Sequence, residues 1–360
     1  MAAEPVAAAK KLTCDLVCEG GGVKGIGLAG AFETLEQAGY TPGHSAGTSA
    51  GAITAALIAA GYSAADLKDV VFNMDFTQFE DETWQDKFPG KLGKGLSIVM
   101  ETGIYRGDAF LEWIREKLAA KGVHFFGDLH TDSDDPRYAY KLQVIVSDVS
   151  SRQLLVLPRD AGVLGLDPDK LEVALAVRMS MSIPIFFEPI RIQNQRTNHV
   201  HVLVDGGMLS NFPVWLFDSD PDDQPEFPTF GLLLVEPDPK TPISERIPAP
   251  EHSAKGLHGL VQLLSGCLHT MMEAHDRLYV EKAQFARTIG IPTLGVGTTE
   301  FAITPERKQA LYDSGREAAA KFLETWSFDA YVAEYRSGKE HSRRADIAAE
   351  LKAAATTTPV

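Results

Sequence analysis

A serine stands between two glycines in Gly47-Thr48-Ser49-Ala50-Gly51, which fits the pattern G-x-S-x-G. In this pattern the glycines let the backbone turn sharply from a strand into a helix and leave the serine hydroxyl exposed above the sheet. Ser49 would then stand at a helix N-terminus, where N–H groups and the helix dipole stabilise developing negative charge. The pentapeptide predicts a nucleophilic serine, although a small-residue turn with a serine N-cap explains it equally well.

The segment Gly20-Gly21-Gly22-Val23-Lys24-Gly25 follows a predicted strand and has two interpretations. Its spacing fits the dinucleotide fingerprint G-x-G-x-x-G, but that fold needs an acidic residue for the ribose about 20 positions later. No Asp or Glu occurs between Gly39 and Gly51. The alternative is an oxyanion hole, in which the main-chain N–H groups of Gly21 and Gly22 point at one oxygen.

A serine nucleophile needs a base, and histidine is the usual one. His199, His201 and Asp205 share one face of a predicted strand. At about 3.3 Å per residue, however, His201 and Asp205 lie roughly 13 Å apart. We therefore expect both histidines to face solvent beside buried valines. Asp205, which precedes two glycines, is the remaining candidate base for Ser49, or else a cap for the following turn. Its surroundings would have to raise its pKa from about 3.9.

The pattern of apolar residues predicts the elements that position these groups. A strand at Leu12–Cys18, the glycine loop and a helix at Ile26–Gln37 form the first unit, and a tighter turn leads into a buried helix at Ala50–Ala60. The apolar run Thr229–Val235 fits a strand covered on both faces, which favours a central parallel or mixed sheet. The other predicted elements are helices at Asp108–Leu118, Leu171–Met179, Leu257–Tyr279 and Glu306–Phe322, a hairpin of Tyr140–Asp148 and Gln153–Leu157, and strands at His199–Val204 and Ile289–Val296.

The chain is predicted to hold one catalytic domain at 12–335, between a disordered leader at 1–11 and a frayed tail at 336–360. From Tyr62 to Arg106 the periodicity degrades into aromatics among acids and then into glycines, which indicates a lid-like insertion at 62–106. Its aromatic residues either form the mouth of an apolar channel or pack the insertion onto the core. They are Phe72, Phe76, Phe79, Trp84 and Phe88.

Composition excludes several classes of protein. The 360 residues are 44% apolar and 23% charged, as in folded globular chains. The net charge of −15 repels nucleic acids and anionic headgroups, so no nucleic-acid partner is expected and any lipid contact should be mainly apolar or local. The three cysteines, Cys14, Cys18 and Cys267, fit neither a disulfide framework nor a metal site. We expect no metal, no cofactor and no export signal or membrane span, and hence a cytoplasmic location.

Four motifs occur in the order that is typical of the patatin-like phospholipase family, which the chain resembles. They are GGGVKG, GTSAG, the block from Arg178 to Pro184 that is similar to R-x-S-x-[SA]-I-P, and DGG followed by Asn211-Phe212-Pro213. The resemblance covers about Leu12 to Val235. Glu19 stands where many members of the family carry Asp, which is a small departure.

The resemblance implies a three-layer α/β/α fold with a central, mostly parallel sheet. It also implies a Ser-Asp dyad of Ser49 and Asp205 without histidine, and an oxyanion hole from the loop Gly20 to Gly25. Lys24 would orient that loop or an anionic substrate, or else be solvated, while Arg178 and Ser180 would hold the packing beneath the site.

The function that follows is a serine acyl hydrolase acting on phospholipid or lysophospholipid esters, with peripheral membrane contact and an oligomeric state left open. Two alternatives remain at this point. One is a non-catalytic or gated lipid-binding regulatory protein, and the other is a nucleotide-binding oxidoreductase.

Overall fold

The computed structural model describes residues 12–79, 103–218, 224–236, 282–298 and 300–336. The strands in these ranges are β1 (Leu12–Cys18), β2 (Tyr40–Gly47), β3 (Gly103–Tyr105), β4 (Leu142–Asp148), β5 (Gln153–Leu157), β6 (Ile185–Phe187), β7 (Ile190–Gln193), β8 (Val200–Asp205), β9 (Thr229–Val235) and β10 (Thr288–Pro292). The α-helices are α1 (Ile26–Gln37), α2 (Ala50–Ala59), α3 (Ala64–Asn73), α4 (Asp108–Ala119), α5 (Val173–Ser180), α6 (Lys282–Phe285), α7 (Pro305–Leu323) and α8 (Phe328–Tyr335).

Eight strands form one mixed sheet in the order β10-β9-β1-β2-β4-β8-β7, with β5 also paired to β4. Strands β10, β9, β1, β2 and β4 run parallel, whereas β5 and β8 are antiparallel to β4 and β7 is antiparallel to β8. The carboxyl ends of β1 and β2 therefore meet at one edge of the sheet, where open α/β sheets bind their ligands. The predicted mixed, mostly parallel sheet with flanking helices is confirmed.

One edge of β4 carries two different strands. Val144 pairs with both Gly47 of β2 and Leu157 of β5, so β2 and β5 lie on opposite edges of β4. Val146 pairs with both Asp205 of β8 and Leu155 of β5, so β8 lies on the same edge as β2. Since β2 is parallel and β8 antiparallel to β4, the two strands run towards each other along this edge of β4. Their last residues lie opposite positions about 7 Å apart on β4.

Alternation along the strands separates two cores. The larger core combines one face of the sheet, such as Leu16, Val144 and Leu232, with apolar residues of α1, α2, α5 and α7. The smaller core combines the opposite face, such as Val17 and Ile145, with the segment Phe212–Phe217. The sheet is thus buried on both faces, which explains its nearly continuous apolar strands.

The predicted lid begins inside the body of the protein. Ser63 and Asp66 form a capping box that starts α3, Leu67 is fully buried, and α3 contacts α1. Phe79 is buried against Phe110 with ring centroids 5.4 Å apart, so the described aromatics of this region pack onto the core. Residues 80–102 of the predicted lid, which include Trp84 and Phe88, lie outside the described residues.

Several other predictions fall outside the described ranges. These are the leader 1–11, the helix Leu257–Tyr279, the tail beyond residue 336 and Cys267. The predicted strand Ile289–Val296 ends earlier than expected, at Pro292, because Leu294 and Gly295 adopt positive φ in a turn. Cys14 and Cys18 are free and buried, and burial raises the pKa of both thiols.

The contact between α1 and α7 yields a stability prediction. A Cβ atom added at Gly315 would lie 1.9 Å from the carbonyl oxygen of Gly27, so only glycine allows the two backbones to approach this closely. Gly315→Ala is expected to lower the free energy of unfolding by about 1–3 kcal/mol, despite a gain in helix propensity of about 1 kcal/mol. Urea denaturation would measure the loss. Gly162→Ala is the matched control, because a Cβ there meets nothing within 4 Å, and an equal midpoint for the two variants would contradict the packing argument.

Candidate active site

Ser49 occupies the sharp turn between β2 and α2. Its φ of 53° and ψ of −126° lie in a region that non-glycine residues rarely adopt. Gly51 makes the turn possible, since a Cβ at this position would lie 2.2 Å from the carbonyl oxygen of Cys18. Gly47 is equally close-packed, with its added Cβ 2.3 Å from the carbonyl oxygen of Gly51. The strained strand-to-helix turn expected from the G-x-S-x-G pattern is therefore present.

The expected exposure of Ser49 is wrong. The residue is 1% exposed, because the glycine loop packs directly over it. A Cβ added at Gly20 would lie 3.1 Å from the Ser49 Cβ atom. The hydroxyl group consequently lies in a site from which most water is removed, where electrostatic interactions are stronger than at the surface.

Asp205 ends β8 and is fully buried. Its Oδ1 atom accepts a hydrogen bond of 2.8 Å from the Gly207 amide. Its Oδ2 atom is buried and makes no hydrogen bond of normal geometry with any described residue, yet the Ser49 hydroxyl is close enough to lower the pKa of the carboxyl group. The two side chains are thus close enough to interact, without a hydrogen bond of normal geometry between them.

The pKa of Asp205 differs from that of Asp148, a second fully buried carboxylate, which ends β4. Burial raises the pKa of Asp205 to about 7, and the Ser49 and Gly207 groups lower it only in part. Burial would also raise the pKa of Asp148, but hydrogen bonds from His201, Ser150 and Ser151 hold it at about 2. Because Asp205 has few donors, it keeps the basicity that a proton acceptor at neutral pH needs.

The glycine loop has two amides that are not engaged. The Gly20 amide donates to the Asn211 carbonyl over 3.1 Å, and the Lys24 amide donates to the Gly21 carbonyl over 3.2 Å. The amides of Gly21 and Gly22 donate to no acceptor within the described part of the chain. A pair of free amides beside a serine can bind an oxygen that becomes negatively charged. The remaining glycine, Gly25, packs against the Ala50 Cβ and precedes α1.

Lys24 is not a free cation in the structure, because it forms an ion pair. Its Nζ atom forms a 2.6 Å ion pair with Glu236, and the side chains are 8% and 30% exposed. Glu236 also accepts a hydrogen bond from the Thr293 hydroxyl. Of the roles considered for Lys24, the structure favours fixing the glycine loop to the ends of β9 and β10.

The prediction that His199 and His201 both face solvent is wrong for His201. This side chain is 4% exposed, and its Nδ1 atom lies 2.7 Å from Asp148 Oδ2. Val200, by contrast, is 45% exposed. The alternation of residues along a strand does not tell which of its two faces is buried. Here the face that carries His201 is turned inward, where Asp148 accepts a hydrogen bond from the imidazole. No histidine in the described ranges hydrogen-bonds to Ser49 or Asp205.

Asn211, for which the sequence predicts no role, and Arg178, which was expected to hold the packing beneath the site, connect the loops around the site by hydrogen bonds. The Asn211 amide donates to the Gly20 carbonyl over 3.0 Å and to Glu19 over 3.3 Å, and Glu19 accepts from the Leu234 amide. Arg178 is buried and donates to the carbonyls of Gly107 and Glu188 and to the Ser182 hydroxyl. In the sequence, the only signal for these contacts was the position of both residues within the motifs that resemble the patatin-like family.

The described residues contain no group of three or more His, Cys, Asp or Glu side chains arranged to hold a metal ion. No helix within the described ranges is long and apolar enough to cross a membrane.

A mixed α/β sheet with a sharp G-x-S-x-G turn from a strand into a helix is typical of α/β hydrolases. A sequence model of the patatin-like phospholipase family matches residues 16–218, which is more than half of the chain. The chain belongs to this family and is a lipid acyl hydrolase.

The chain is also similar to one curated protein and to several solved structures. The uncharacterized protein YqhO of Bacillus subtilis strain 168 is 37% identical over 314 residues, covering 87% of this chain and 99% of YqhO. The crystal structure of VipD from Legionella pneumophila superimposes with a TM-score of 0.50 and 19% identity, over 88% of this chain and 68% of VipD. ExoU of Pseudomonas aeruginosa, solved as the ExoU-SpcU complex, matches with a TM-score of 0.46 and 19% identity, over 96% of this chain and 60% of ExoU. The likeness to VipD supports the fold alone.

Proposed function

We propose that the protein hydrolyses fatty-acyl esters of glycerophospholipids or lysophospholipids with a Ser49–Asp205 dyad. One observation carries this proposal. The strands β2 and β8 end two positions apart along one edge of β4, and the proposal is supported by the buried Asp205 carboxylate, whose pKa is raised to about 7 and lowered in part by the Ser49 hydroxyl. A carboxylate of this kind can accept a proton from a serine without help from histidine.

In the first half of the reaction, Asp205 accepts the Ser49 proton while the Ser49 oxygen forms a bond to the ester carbonyl carbon. The carbonyl oxygen becomes negatively charged and receives hydrogen bonds from the free amides of Gly21 and Gly22. When the tetrahedral intermediate collapses, the bond to the alcohol oxygen breaks. Asp205 returns its proton to that oxygen, and the alcohol leaves as a lysophospholipid or a glycerophospho compound.

In the second half, water replaces the alcohol. Asp205, ionised again, accepts a proton from the water as its oxygen attacks the acyl carbon on Ser49. The same two amides stabilise the second oxyanion. Collapse releases the fatty acid, and the proton held by Asp205 returns to the Ser49 oxygen. Burial of both residues limits competing water in the first half of the cycle.

Substrate selection is proposed to depend on the acyl chain more than on headgroup charge. Lys24 is held in its ion pair with Glu236, and the net charge of the chain is −15. Neither feature favours an anionic headgroup or an anionic membrane. Peripheral contact with lipid would accordingly be apolar and local.

The raised pKa of Asp205 predicts the pH dependence of activity. Only the ionised carboxylate accepts a proton, so kcat/KM for a soluble ester should rise with pH, level off above about pH 7 and fall about tenfold per unit on the acidic side. Steady-state assays between pH 5 and 9 would measure the inflection. The Asp148→Asn variant should show the inflection at the same pH as wild type, because Asp148 does not contact Ser49 or Asp205. An inflection near the ordinary aspartate pKa would contradict the assignment of Asp205 as base.

The proposed substrate class is tested with vesicles of phosphatidylcholine and micelles of lysophosphatidylcholine. Mass spectrometry would quantify released fatty acid with and without prior treatment with a fluorophosphonate. We expect release from at least one substrate and its loss after treatment. Absence of fatty acid under all conditions would contradict the proposed substrate class.

A further inference from the structure

A gap lies where β2 and β8 approach each other along β4. Val144 pairs with Gly47 and Val146 pairs with Asp205, so Ile145, between them, has no strand partner on this edge. Its carbonyl oxygen points to the gap, since a Cβ atom added at Gly206 would lie 2.3 Å from it. A buried carbonyl needs a hydrogen-bond donor.

Ser180, the last residue of α5, supplies that donor. Its hydroxyl donates to the Ile145 carbonyl over 2.6 Å and accepts from the Ser49 amide over 2.9 Å. Ser180 is 0% exposed and Ser49 is 1% exposed. The single hydroxyl proton is used on Ile145, which leaves a lone pair of the oxygen for the Ser49 amide, so the direction of both hydrogen bonds is fixed.

We infer that Ser180 is a positioning residue for the nucleophile rather than a packing residue. Its hydroxyl replaces the missing ladder contact between the two strand ends, and it joins the Ser49 backbone to the part of β4 that also holds Asp205. The unusual φ of 53° at Ser49 needs such support, because a strained conformation persists only where its surroundings over-determine it. This inference rests on the proposed function of the Ser49–Asp205 dyad.

The test replaces Ser180 with Ala, which removes both hydrogen bonds, and with Cys, which keeps a weak donor and acceptor in a similar volume. For Ser180→Ala we expect kcat to fall about 10- to 100-fold, because small displacements of a reacting group cost rates of this size. KM should stay within about twofold of wild type, since Ser180 does not face the substrate. The kcat of the Cys variant should lie between the values of the Ala variant and wild type. The inflection of the pH profile should stay at the same pH in all three proteins.

Ser45→Ala is the matched control. Ser45 is also a buried serine, it lies on β2, and its hydroxyl donates to the Ala55 carbonyl over 2.8 Å without contacting Ser49. It should lose stability but keep kcat. If Ser180→Ala does not fold, the Cys variant decides the question by the same comparison.

The rate of labelling by a fluorophosphonate separates the two proposals, because it reports on the nucleophile without an ester substrate. Labelling of wild type at Ser49, with clearly slower labelling of the Ser180 variants, supports the inference. Equal rates in wild type and variants, or a loss shared by Ser45→Ala, would overturn the role of Ser180 and leave the dyad standing. Failure of wild type to be labelled at Ser49 would overturn the dyad itself.

Discussion

Replacing Ser49 with alanine is expected to reduce ester hydrolysis by about 10⁴-fold or more, which is the loss seen when a serine nucleophile is removed. No other described hydroxyl is placed against the buried carboxylate, so no neighbour can substitute for it. Hydrolysis of a soluble ester and circular dichroism would show lost activity with an intact fold. Ser314→Ala serves as the control, because this buried serine hydrogen-bonds to the Pro292 carbonyl, away from the site.

The backbone at Ser49 sharpens this prediction. Glycine adopts positive φ without strain, so Ser49→Gly should raise the free energy of unfolding by roughly 1 kcal/mol while abolishing activity. Ser49→Ala should not show this gain, since alanine meets the same strain as serine. Retained hydrolysis in either pure variant would remove Ser49 as the nucleophile. A Ser49→Gly variant less stable than wild type would contradict the strain argument.

Replacing Asp205 with asparagine is expected to remove nearly all activity and to stabilise the fold at neutral pH. Activity is lost because the amide cannot accept the Ser49 proton. Stability rises because the folded protein holds a proton on Asp205 up to about pH 7, whereas the unfolded chain releases it near pH 4. Folding therefore opposes ionisation, and the wild type loses stability as pH rises from about 4 to about 7.

The stabilising effect of Asp205→Asn should accordingly grow between pH 5 and pH 8, as measured by denaturant unfolding at several pH values. Asp148→Asn provides a control of opposite sign. Hydrogen bonds from His201, Ser150 and Ser151 lower the pKa of Asp148 to about 2, so its charge stabilises the fold at neutral pH. If Asp205→Asn destabilised the protein at pH 8 as Asp148→Asn does, Asp205 would be a structural cap and not a strained base.

The sequence predicted the local parts of this site well, because their signals are local. The strand Leu12–Cys18 and the helix Ile26–Gln37 have the predicted bounds, and the turn at Ser49 is where its glycines indicate. The helix Ala64–Asn73 was assigned to a lid, although the spacing of Ser63 and Asp66 carries the signal of a capping box.

Other features depend on contacts that no local pattern encodes. The approach of Ser49 to Asp205 results from two strands sharing one edge of β4, which is a matter of sheet order and register. The burial of His201 depends on Asp148, a residue on another strand. Ser180 can donate to the Ile145 carbonyl because β2 and β8 both end beside β4 and leave this carbonyl without a partner in the sheet. Likewise, the pKa of Asp205 follows from burial and from the small number of donors around it.

The most direct test of the account is a crystal structure of the protein after reaction with a fluorophosphonate. We expect phosphorus bonded to the Ser49 oxygen, a phosphoryl oxygen within hydrogen-bonding distance of the Gly21 and Gly22 amides, and the Asp205 carboxylate beside Ser49 with no imidazole between them. An adduct on another residue, a histidine in contact with the Ser49 oxygen, or a phosphoryl oxygen held by groups other than these amides would contradict the proposed mechanism.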